Sequence, residues 1–67
     1  MFEKGDRVVL IKNTFRGGLI IKAGSRGYVT QVFSNDYMMP THRGKIRVKW
    51  GKNIETCHLP SELQHVV

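Results

Sequence analysis

The stretch "GKIRVKWGKN", Gly44 to Asn53, decides the fold. Ile46, Val48 and Trp50 alternate with Lys45, Arg47 and Lys49, and Gly51 follows at once. A period of two puts the apolar side chains on one side of an extended strand and the cations on the other. The strand Lys45–Trp50 therefore needs an apolar interior behind it and either water or an anionic ligand in front. Same-side residues lie two rises apart, about 6.6–6.8 Å, which roughly matches the spacing of phosphates along one nucleic-acid strand.

The segment "NIETCHL" returns from this strand as a hairpin. Two registers compete. A two-residue Gly51-Lys52 turn of type II′ sets Glu55 opposite Val48. A three-residue loop, Gly51 to Asn53, sets Trp50 against Ile54 and Lys49 against Glu55, which matches opposite charges across the pair. The second register turns Cys57 and Leu59 toward the cationic side unless a bulge intervenes.

Upstream, "GDRVVLIK" opens on a Gly-Asp turn and continues as a strand from Arg7 to Lys12, with Val8 and Leu10 on one face and Val9 and Ile11 on the other. "GYVTQVF", Gly27 to Phe33, is a second strand whose alternation fails once, so a bulge is expected near Thr30 or Gln31. Between them, Asn13 to Gly27 reads as a long loop holding one extended piece, Leu19 to Lys22. Four glycines in eleven residues, at about 1 kcal/mol each against alanine, argue against a helix there. Ser34 to Gly44 is a second loop, broken by Pro40. At the end, Pro60 interrupts, Ser61 and Glu62 make a tight turn, and Leu63 to Val67 offer a last short strand. The expected core is Val8, Leu10, Val29, Val32, Ile46, Val48, Leu59 and Leu63.

Sixty-seven residues make one domain, 1–67, and a chain this short buries only about 60% of its unfolded surface. Five short strands then favour an all-β barrel, because closure leaves little unpaired edge. The single Cys57 closes no internal disulfide, and His42, His58 and His65 share no close ligand spacing, so no metal or other cofactor is expected. No apolar run approaches the length that crosses a bilayer, and no signal segment opens the chain. With the lone thiol, this leads to the expectation of a cytoplasmic protein, a monomer by default.

"KGDRVVLI", "AGSRGYVTQVF", "GKIRVKWGKN" and "HLPSELQHV" together resemble the SH3-like barrel superfamily in its bacterial form. In the first two pieces, Gly5-Asp6 with Val8 and Gly27 with Val29 are similar to the KOW motif of ribosomal proteins and transcription elongation factors. The loop between the two strands is several residues longer than the KOW spacing. The resemblance implies a five-stranded barrel with long loops and a short 3-10 turn, Pro60 to Leu63, before the last strand. Such barrels include binders of RNA, DNA and peptides, and docking subunits of larger complexes, so fold alone does not choose a function.

Charge narrows the choice. Eleven Lys and Arg against five Asp and Glu give +6 on a small body, which favours polyanionic partners. Lys45, Arg47 and Lys49 form the row, extended by Arg43 and Lys52, with Glu55 the only acid nearby in the sequence. "KNTFRGG" is a second candidate: Phe15, between Lys12 and Arg16, can stack a base beside a phosphate contact or fold back as a cap. Lys22 and Arg26 enlarge that basic rim. Tyr37, Met38 and Met39 form an apolar loop tip that either closes one barrel end or meets a protein. Cys57 and His58, as strand neighbours, point to opposite faces and make no catalytic pair. No nucleophile with a base, phosphate-cradling loop or metal cluster stands out, so the residues point to no enzyme. The expected function is a non-catalytic module binding RNA or DNA by phosphate contacts. The alternative is an accessory or inhibitory subunit docking on an acidic face of a larger protein complex.

Overall fold

Apolar alternation and glycine turns give the chain seven short strands, seen in a computed structural model that describes residues 1–16, 18–51 and 53–66. In chain order they are β1 (Arg7–Leu10), β2 (Thr14–Arg16), β3 (Leu19–Ile21), β4 (Arg26–Val32), β5 (Ile46–Gly51), β6 (Ile54–His58) and β7 (Leu63–His65). Two 3-10 turns, Pro40–His42 and Pro60–Glu62, each start at a proline, whose fixed φ suits a first helical position. The second turn leads directly into β7, as the sequence suggests. The fold is mostly β.

The strands form two sheets. Five lie in the order β6-β5-β4-β1-β7, all neighbours antiparallel, with β6 and β7 at the ends; β2 and β3 pair separately as a hairpin arm. The segment read from the sequence as a loop with one extended piece is thus a two-stranded arm. Its inner residues, Thr14 and Ile21, stand opposite each other and are both buried.

A turn fixes where β1 begins. Gly5 takes φ +94°, a left-handed conformation that suits glycine, and the Asp6 carboxylate accepts the Glu3 N–H at 2.9 Å. Val8 and Leu10 then point into a core shared with Ile21, Val29, Ile46, Val48 and Leu63, while Phe2 and Trp50 pack against it half-buried. Each such side chain contributes on the order of 1.5–3 kcal/mol when fully buried.

Two bulges set the register. One falls between Val29 and Gln31 in β4, where the sequence expects it, so that Val29 faces Val48 and Val32 faces Ile46. The other falls between Lys49 and Gly51. It decides the hairpin register in favour of charge matching: Lys49 stands opposite Glu55, but Gly51 rather than Trp50 faces Ile54. Trp50 is the extra residue, and Asn53 completes the turn with φ 62°.

The bulge lets the indole swing inward. A Cβ on Gly27 would run into the Lys49 carbonyl oxygen and come within 2.9 Å of Trp50 Cε3, so the ring lies against the bare backbone of β4. Trp50 Nε1 donates to Thr56 Oγ1 at 2.7 Å, Thr56 Oγ1 and His58 Nε2 share a hydrogen bond at 2.5 Å, and the Trp50 and His58 rings meet edge to face at 5.4 Å. His58 is completely buried opposite Ile46.

Two expected core residues lie outside. Leu59 is 49% exposed because the chain leaves the sheet there: its N–H is held by the Glu62 carboxylate at 2.9 Å, and His58 takes the inward position. Val32 is 44% exposed: β1 pairs with β4 only from Arg26 to Tyr28, and beyond that pairing Val32 lines an open cleft with Phe2, Glu3 and Lys4. Phe33 is buried instead, its ring 4.7 Å from Tyr37 and 4.9 Å from His42, so the loop after β4 folds back over that end.

Replacing Gly27 by alanine tests the close approach. Overpacking of this kind costs about 1–3 kcal/mol. At roughly 4–8 °C per kcal/mol for a domain of this size, thermal denaturation followed by circular dichroism should show a clear fall in Tm. An unchanged Tm would mean that the indole does not rest on β4.

Candidate nucleic-acid interface

Directly opposed residues on antiparallel strands share a face, so the pairings draw the outer surface of the sheet. Arg7 on β1 faces Tyr28 on β4, which faces Lys49 on β5, which faces Glu55 on β6. The next row is Gln31, Arg47 and Cys57, and on the other side lie Arg26, Val9 and Gln64. None of these belongs to the buried core, whose members occupy the alternate positions of the same strands.

Of the row expected along this strand, Arg47 and Lys49 lie within β5 and Lys45 immediately precedes it. Alternation turns Lys45, Arg47 and Lys49 away from the buried Ile46 and Val48. All three are half-buried, as befits long side chains whose apolar stems can cover sheet surface and leave the charge in water. Arg26 joins them, but not as part of the loop rim expected from the sequence. It stands on the outer sheet face opposite Val9 and borders the clefts on both sides of Tyr28 as well as one beside Leu19 and Ile20.

Other expected members are placed elsewhere. Arg43 donates from Nε to the Tyr37 carbonyl at 2.6 Å, clasping the loop between β4 and β5 rather than extending the row. Lys12 and Lys22 are exposed at the base of the hairpin arm, where Asn13 Oδ1 accepts the Ala23 N–H at 2.7 Å and ties the two sides together. Phe15 does not fold back as a cap; it is 69% exposed on the arm, opposite Ile20 at 57%. Lys52 and the Arg16 side chain lie outside the described residues. The Tyr37–Met39 tip divides: Tyr37 packs on Phe33, closing that end, while Met38 is 87% and Met39 52% exposed.

Sequence reasoning missed Arg7 and Tyr28. Each precedes a core valine by one position, so alternation points both outward, yet only the β1–β4 pairing puts them side by side. The pairing cannot be read from either strand alone.

Three of the five carboxylates, those of Asp6, Asp36 and Glu62, are engaged in turns. Asp6 accepts from the Glu3 N–H and meets His65 Nε2 at 2.9 Å; these two interactions, the backbone hydrogen bond first, hold its pKa below the ordinary value of 3.8. Asp36 accepts from Ser34 Oγ at 2.6 Å and is likewise held low, by that bond and by its own backbone N–H. Glu62 lies 3.6 Å from His58 Nδ1. Among the described residues, no carboxylate lies within 4.0 Å of the charged nitrogens of Arg7, Arg26, Lys45, Arg47 or Lys49. Among the described residues, Glu55 is the acid that the strand pairings set on this face, opposite Lys49.

Among the described residues, no three His, Cys, Asp or Glu gather closely enough to hold a metal ion, and no helix is long and apolar enough to cross a membrane. Compared with known proteins, the chain matches no family model, no curated protein and no solved structure.

Asp6 makes stability pH-dependent in a defined direction. A carboxyl whose folded-state pKa lies below its unfolded value stabilises the fold above that value, and the contribution fades as pH falls through the folded-state pKa. The wild type should melt higher than an Asp6→Asn variant near pH 5, and the difference should shrink below about pH 3.8, as read by Tm across an acid titration.

Proposed function

We propose that this protein is a non-catalytic module that binds nucleic acid through phosphate contacts on the outward face of its five-stranded sheet, acting in the cytoplasm. The observation that carries the reading is the gathering of Arg7, Arg26, Lys45, Arg47 and Lys49 on one face while most carboxylates are engaged in turns elsewhere. Contacts of this kind position a backbone and carry little sequence information, so affinity should depend strongly on salt and weakly on sequence.

We also read the scaffold as an SH3-like barrel, KOW-like in its first half. The five-strand order, the long excursion between β1 and β4 and the 3-10 turn immediately before β7 support this.

Titration of a labelled duplex at several salt concentrations tests the binding reading. If about four phosphates are neutralised, the log–log slope should be near −4. Replacing Lys45, Arg47 and Lys49 together by glutamine should remove most of the affinity and flatten the slope to roughly −1, with Tm little changed because all three point out of the core. A wild-type slope near zero rejects the reading.

Met38 and Met39 favour a second reading, docking on an acidic protein face, because adaptable thioethers held out in solvent suit a protein contact. The two readings predict different consequences for a Met38→Ser, Met39→Ser double variant. Under nucleic-acid binding, its duplex affinity and salt slope should equal those of the wild type; a loss beyond about threefold, or 0.65 kcal/mol by RT ln 3, transfers the function to the loop tip.

A further inference from the structure

We infer that Tyr28 is a stacking platform for an unpaired base, so that the ligand of this face is single-stranded nucleic acid. The inference rests on the phosphate-binding reading above and adds to it the part of the ligand that phosphates do not define.

Tyr28 lies on β4, the middle strand of the five, and is 46% exposed. A large aromatic on an outer sheet face is often covered by a neighbouring ring or a loop. Here its cross-strand neighbours are cations, Arg7 on one side and Lys49 on the other, and Arg26 precedes it by two residues on the same face. Among the described residues its ring meets no other aromatic ring.

The ring also stands between two clefts. One is bordered by Arg7, Arg26 and Val66, the other by Arg26, Lys49 and Trp50, and Tyr28 lines both. Neighbouring strands are about 4.8 Å apart, so Arg7 and Lys49 set a long cationic side chain on either side of the ring, each able to reach a phosphate of a nucleotide stacked there. Stacking is indifferent to base identity, because every base has a π-face. A base within a duplex is already stacked on its neighbours and cannot lie on the ring; an unpaired base can. Charge and ring together therefore select a strand whose bases are free.

The test compares wild type, Tyr28→Val and Tyr28→Phe by fluorescence anisotropy on labelled oligo-dT, oligo-U and a duplex of equal length. Valine keeps strand propensity while removing the ring. It should weaken binding of the single strands by on the order of tenfold and leave duplex binding unchanged, while phenylalanine retains wild-type affinity for all three. Tighter binding of oligo-U than of oligo-dT assigns RNA as the source, and the reverse assigns DNA; either supports the stacking role. If valine weakens all three probes alike, or none, the platform is refuted while salt-dependent phosphate binding still stands. If the wild type binds no probe with a salt dependence, both readings fall together.

Discussion

The packing of Trp50 against Gly27 holds the rest of the molecule in register. The indole lies against the backbone of β4, gives its N–H to Thr56 on β6 and meets the buried His58 ring edge to face. One side chain from β5 thus fixes the strands on both sides of it. In a sheet with one apolar face this matters more than the few contacts suggest. A slip of one residue would turn every cation of β5 inward and every core valine outward. The outer surface is ordered because the inner one admits a single arrangement.

The same division explains how so basic a chain folds. The inner face carries aliphatic side chains with Phe2 and Trp50 packed against them, a buried threonine and a histidine whose Nε2 hydrogen-bonds to Thr56. Few charges compete with the core, since among the described residues no Lys or Arg is buried and the cations of β5 sit at positions alternate to it. The carboxylates that might have neutralised them are drawn into turns: Asp6 before β1, Asp36 after β4 and Glu62 before β7. Each caps backbone or hydroxyl donors where the chain reverses. The acids shape the loops, and the sheet face is left positive.

Particular residues show how far the amino-acid order alone could carry this description. The strand Ile46 to Trp50 was legible because its alternation is strict, and the bulge at Thr30 because alternation there fails once. Leu59 and Val32 read as core because they are apolar and suitably spaced. Val32 is exposed because β1, far away in sequence, stops pairing before it, and Leu59 because the chain leaves the sheet at the turn that Pro60 opens. Ile21 and Phe33 are the converse, buried by an arm and a loop that fold onto them. His58 could not be expected inside from its own chemistry, since its burial depends on a hydroxyl and an indole supplied by a bulged hairpin. The β5 cations were visible as a row, whereas Arg7 and Tyr28 became part of the same face only through pairing across strands.

The contact between a bare backbone and a bicyclic ring also constrains how this sequence can drift. Over evolutionary time, position 27 should stay glycine: a smaller ring at 50 would relieve one close approach, but any Cβ at 27 would still meet the Lys49 carbonyl oxygen, which belongs to the backbone. A glycine kept at that place in the strand would mark kinship with this chain even where overall identity has faded.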